Sequence, residues 1–175
     1  MIQNSKNMPS KQKNILSPLK LLDYQVLKSS YNFISPDKES INLNPQDLFD
    51  EYDIDIDYAI EERDDKVLLF FMKCGINFKQ EESKIGYELF AEIVNVFDST
   101  KIFEELDEDQ ARQTIVFSGI SISVNNLRNY FSDITKRAPF KDYLLPALDI
   151  QTLIKEKNKK VAAQVKKGKK SKGNK

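Results

Sequence analysis

Apolar and polar residues alternate over residues 19–33. Leu22, Tyr24 and Val26 alternate with Asp23 and Gln25; then the parity flips, and Leu27, Tyr31 and Phe33 are apolar while Lys28, Ser30 and Asn32 are polar. A period of two predicts a strand, and the change of phase predicts a β-bulge near Val26 and Leu27. Residues 35–46, punctuated by Pro36 and Pro45, read as a long crossing loop. In "YDIDIDYAIEER", Tyr52, Ile54, Ile56, Tyr58 and Ile60 point one way, and Asp53, Asp55, Asp57, Glu61 and Arg63 point the other. One wet face and one buried face predict an antiparallel sheet. Asp64 and Asp65 read as a tight turn. "KVLLFFMKCGINF" reads as a strand apolar on both faces over its first half, "KQEESK" as a turn, and "GYELFAEIVNVF" as a fourth strand. A four-stranded antiparallel meander is the economical arrangement.

Residues 107–137 change character. Asp107, Glu108 and Asp109 load a first helical turn, where carboxylates suit the helix dipole. Ile120, Val124, Leu127, Phe131 and Ile134 form an apolar stripe at helical spacing, read as core and oligomer contact. Gly119 and its β-branched neighbours are poor helix formers, which predicts a kink or break there; "TIVFSGISISV" alone also fits a strand. Next comes an apolar connector, "RAPFKDYLLPALDIQTLI", stiffened by Pro139 and Pro146. Asp149 is a suitable N-cap for a second helix carrying Ile150, Leu153 and Ile154, which should fray into a lysine-rich tail. The predicted class is α+β: a four-stranded antiparallel sheet with a long kinked helix and a shorter C-terminal helix packed on one face. Residues 1–16 read as a disordered segment, 17–157 as one domain, and 158–175 as a lysine-rich disordered tail.

Charge sharpens this picture. The formal net charge of the 175 residues is zero. Residues 1–20 carry +4, residues 21–150 carry −13 and residues 151–175 carry +9, which sum to that zero. An acidic body therefore bears a basic segment at each end. No apolar run is long enough to span a bilayer and no signal segment is visible, so a cytoplasmic protein without membrane insertion is expected.

The chemistry is sparse. There is no histidine, which rules out His-based acid–base catalysis, His-activated nucleophiles and His metal sites. Cys74 is the only cysteine and reads as a buried thiol. None of the five glycines falls in a phosphate-cradling pattern. Asp53, Asp55 and Asp57 share a strand face at about 6.6–7 Å spacing, too far apart to share one ion; the face reads as a solvated surface or a docking surface for a basic partner such as a translocase. The expectation is a binding protein rather than an enzyme, with no metal and no cofactor. The connector is the candidate interaction surface, since exposed apolar patches mark such sites. For Phe140, Tyr143, Leu144 and Leu145, burial in the core or at a subunit interface stands beside client contact.

The order of parts resembles SecB, the bacterial protein-export chaperone family. The likeness covers residues 17–157 in element order. It is most specific in "LRNYFSDITKRAPFKDYLLPALDIQTL", where Pro139, Phe140, Leu144, Leu145, Pro146 and Asp149 match a helix end, a Phe-containing turn and a Leu/Pro segment before a helix start. The resemblance implies a homotetramer built as a dimer of dimers. It also implies ATP-independent holding of unfolded or precursor polypeptides in apolar grooves formed by the crossing loop, connector and second helix. On this chain those grooves map to Phe33, Phe49, Phe140, Tyr143, Leu144, Leu145, Leu148, Leu153 and Ile154. Partners implied are unfolded clients, the translocase motor SecA, or an antitoxin, as for some relatives in toxin–antitoxin systems. Members studied as export chaperones are acidic throughout and end in a tail that docks on SecA, whereas this chain ends in lysines. Two other readings stand beside this one. The first is a nucleic-acid-associated protein using the basic tail, against which the tail's lack of interleaved aromatics counts. The second is an assembly subunit with one folded partner.

Overall fold

The computed structural model describes residues 17–37, 44–63, 66–78 and 84–171, with side chains to residue 163. The expected N-terminal segment, the turn at 64–65 and nearly all of the turn at 79–84 lie outside these residues. The elements are β1 (Lys20–Ile34), α1 (Pro45–Asp50), β2 (Ile54–Glu62), β3 (Val67–Ile76), β4 (Gly86–Asp98), α2 (Thr100–Glu105), α3 (Glu108–Thr135) and α4 (Ile150–Ser171). The short helices α1 and α2 are additions to the sequence reading. α1 starts on Asn44, whose side chain accepts from the Gln46 N–H, with Pro45 inside the first turn.

The sheet is antiparallel throughout, in the order β1-β4-β3-β2. This corrects the simple meander: β2, β3 and β4 form one, but β1 pairs with β4, so β1 and β2, consecutive in the chain, stand at opposite edges of the sheet. Composition explains the order. β3 and β4, apolar on both faces, take the centre, while the carboxylate-rich β2 and the polar-faced β1 take the edges. β1 carries the expected shift between Val26 and Lys28 and a second between Leu21 and Asp23, which makes Leu22 and Leu27 the extra residues.

Both long helices lie on one face of the sheet. There, Phe70, Met72 and Cys74 of β3 and Leu89, Ile93 and Phe97 of β4 are fully buried, against Ile120, Leu127 and Phe131 of α3. Ile120, Val124, Leu127 and Phe131 are therefore core within one chain, which corrects their reading as oligomer contacts. Ile60, expected in the core, is 36% exposed near the end of edge strand β2. α3 runs unbroken through Gly119. A Cβ there would lie 2.4 Å from the Phe70 ring, so the glycine permits close approach of helix to sheet. The serines of the strand-like run stay helical, with the Ser121 and Ser123 hydroxyls donating to the Phe117 and Gly119 carbonyls. Asp149 caps α4, accepting from the Thr152 N–H at 3.1 Å, and the helix continues to Ser171.

Candidate functional site

The connector between α3 and α4 is held at five points. The Arg128 guanidinium donates to the carbonyls of Leu145 (2.8 Å) and Pro146 (3.1 Å). The Tyr143 N–H donates to Thr135 Oγ1 at 2.8 Å. The Tyr87 hydroxyl accepts from the Phe140 N–H at 2.9 Å and donates to the Lys141 carbonyl at 2.7 Å. Lys141 turns the chain at φ 64°. A proline-bearing segment without secondary structure is thereby fixed in one shape, so its side chains are presented at reduced entropic cost.

Next to it seven aromatic rings from four segments converge, Tyr31 joining through Tyr87 at 5.9 Å. Phe49 lies 5.2 Å from Tyr143, 5.5 Å from Tyr87 and 5.6 Å from Tyr52 between ring centroids. Phe33 meets Phe140 edge-on at 5.2 Å. Tyr52 ties the crossing segment to β4: its hydroxyl donates to the Ile85 carbonyl and accepts the Tyr87 N–H, both at 2.9 Å. Burial is the main cause that pushes the Tyr87 hydroxyl up to about 12 and raises that of Tyr143 as well. Both phenols stay neutral; the Tyr87 hydroxyl packs and hydrogen-bonds, whereas the buried Tyr143 hydroxyl has no hydrogen-bond partner among the described residues, and Tyr143 serves by packing.

Two cavities are lined by apolar residues of β2. One of about 290 Å³ is lined by Phe49, Tyr52, Ile54, Tyr143, Leu144 and Pro146, with Gln46 and Asp50 at α1. The other, about 820 Å³ and broadly open, lies between β2, α3 and α4; its apolar wall is Tyr58, Ile60, Val116, Phe117 and Ile154. Phe117 is 47% exposed and Leu144 61%, so each cavity presents a large apolar side chain to solvent. Among the residues singled out from the sequence, Phe49, Tyr143 and Leu144 line the smaller cavity and Ile154 the larger. Phe33 and Phe140 sit half-buried in the ring cluster. Leu148 and Leu153 pack half-buried against the core. Tyr143 and Leu145 are both sealed at 1% exposure, so their side chains belong to the core, which corrects their reading as client contacts.

Sequence reading missed Tyr52 and Tyr87, the hydrogen-bonding centre of the cluster, and the whole α3 wall of the larger cavity. Tyr52 carried a signal, an aromatic just ahead of the β2 alternation. Tyr87 and Phe117 carried none, because their partners come from chain segments tens of residues away.

Asp53, Asp55 and Asp57 are exposed along the β2 edge. Asp57 accepts from Lys157 Nζ of α4 at 2.8 Å, and the same ammonium lies over the Tyr58 ring at 5.6 Å. Partial burial raises the Asp57 carboxyl, but the Lys157 hydrogen bond and charge outweigh it and hold the carboxyl below its usual range. The acidic edge thus carries one of the contacts that fasten α4. Among the described residues, no three metal-ligating side chains converge, and no helix is long and apolar enough to cross a membrane.

No family model matches the chain, and no curated protein matches its sequence. Among solved structures, the SecB-like chaperone Rv1957 of Mycobacterium tuberculosis, in complex with a ChAD peptide from the HigA1 antitoxin Rv1956, aligns with a TM-score of 0.52 at 15% identity, covering 75% of this chain and 91% of that one. A protein of unknown function from Streptococcus agalactiae aligns with a TM-score of 0.37 at 9% identity, over 74% of this chain and 97% of that one.

Proposed function

The chain has the fold of a SecB-like chaperone, and we propose that it is an ATP-independent holdase that binds non-native polypeptide segments along β2. The observation that carries this reading is the pair of apolar cavities beside β2, each with a protruding hydrophobic side chain, the smaller one walled by a connector fixed by hydrogen bonds. A client contributes scattered apolar side chains, each worth about 1.5–3 kcal/mol when fully buried. Broad apolar walls with few fixed donors suit many sequences and allow release. The ChAD peptide held by the mycobacterial protein supports a polypeptide client for this fold. We place the chain in the cytoplasm, holding export precursors for a translocase motor such as SecA or protecting an unstable antitoxin.

Aggregation of denatured citrate synthase, followed by light scattering without nucleotide, tests the reading. Wild type should suppress aggregation, and Leu144→Asp combined with Phe117→Asp should lose most of that suppression with an unchanged urea midpoint. A wild-type chain that neither binds unfolded client nor slows aggregation overturns the proposal.

β1 supports an assembled state. It is an edge strand with Leu21, Leu22, Tyr24, Val26, Leu27 and Tyr31 exposed. An exposed apolar edge strand of 15 residues is an aggregation hazard, and pairing with a second copy removes it. We propose a dimer through β1 that pairs into the tetramer.

A further inference from the structure

We propose that α4 carries a second binding surface, a lysine ridge for the phosphate backbone of nucleic acid, separate from the polypeptide cavities and independent of the holdase reading. Sequence alone suggests a frayed tail, in which lysines have no mutual geometry. The structure makes the segment helical to Ser171. α4 then holds eight lysines and one glutamate.

Their placement on the helix is ordered. Ile150 and Ile154 pack on the core, and Lys157 reaches Asp57. Lys155 and Lys159 lie on the opposite side of the helix and are exposed. The spacing 155, 159, 166, 170 repeats at four, seven and four residues, which keeps all four positions on one line about 22 Å long. The sole acid, Glu156, is itself paired with Lys159 at 2.7 Å. Residues 21–150 carry −13, so a polyanion is repelled by the body and left with the helix.

The partner's class follows from what the ridge lacks. Past the body, the apolar line of α4 offers only Val161 and Val165, with no aromatic or leucine residue, which gives a bilayer little to bury. There is no arginine for bidentate base contacts and no aromatic for stacking. What remains is point-charge contact with phosphates, indifferent to sequence and governed by counterion release.

The four ridge lysines supply about four phosphate contacts, a slope of log K against log salt near −3.6 and roughly a 150-fold loss between 50 and 200 mM salt. The test is anisotropy of a fluorescein-labelled 30-base-pair DNA duplex titrated with the full chain across that range. The quadruple variant Lys155→Gln, Lys159→Gln, Lys166→Gln, Lys170→Gln keeps helix propensity and should bind at least thirtyfold more weakly. Lys28→Gln, Lys73→Gln, Lys101→Gln, Lys136→Gln, on the body, should bind as wild type. The proposal is overturned if the ridge variant binds like wild type, if the slope is near zero, or if phosphatidylserine vesicles compete the duplex off at equal charge.

Discussion

Gly86, at φ 104°, sits against the Tyr52 hydroxyl; a Cβ would come within 1.9 Å of that oxygen. Gly86→Ala must therefore strain the backbone and displace the hydroxyl that joins the crossing segment to β4. We expect a loss of at least about 2 kcal/mol in urea unfolding. Gly119 gives a test with an inverted sign. On an exposed helix Gly→Ala gains about 1 kcal/mol, but here the new methyl meets Phe70, and Gly119→Ala should lower stability by about 1–3 kcal/mol. Cys74 is fully buried, and burial pushes its thiol up to about 12. It should be silent to Ellman's reagent at pH 8 and react fully once urea unfolds the chain.

At the scale of elements, α3 and α4 are held differently. α3 has nine buried residues, among them Ile120, Leu127 and Phe131, whereas α4 is fastened by half-buried Ile150, Leu153 and Ile154 and by the Lys157–Asp57 pair. The lowered carboxyl of Asp57 means that its contribution is present above its unfolded value near pH 3.9 and is lost as pH falls through the depressed folded value. With Asp57 54% exposed, the contribution is small, under about 1 kcal/mol. Lys157→Ala should leave the unfolding free energy within about 0.5 kcal/mol of wild type while speeding amide exchange in residues 152–160 at neutral pH. At pH 3 wild type should approach the variant.

For the whole molecule, the exposed β1 edge sets the expectation. Light scattering should give a twofold or fourfold multiple of the 20.3 kDa chain mass. Leu22→Lys with Leu27→Lys, both at bulges and both exposed, should return it to a monomer without unfolding it. A monomeric wild type overturns the β1 assembly.

The sequence by itself determined the elements that rest on local rules. The β2 alternation, the bulge near Leu27, the acidic start of α3, the cap at Asp149 and the stripe of α3 are set by neighbours a few residues apart, and side-chain period and capping chemistry report them directly. The core role of that stripe and the apolar connector were legible for the same reason. Only the tertiary structure decided which strand pairs with β1, that Gly119 makes room for Phe70 rather than breaking a helix, and that Leu145 is sealed while Leu144 is open. It also decided that Tyr52 and Tyr87 complete the ring cluster and that Phe117 walls the larger cavity. Each of these depends on contact between residues distant along the chain, and no period or cap carries information about a partner that folding alone brings near.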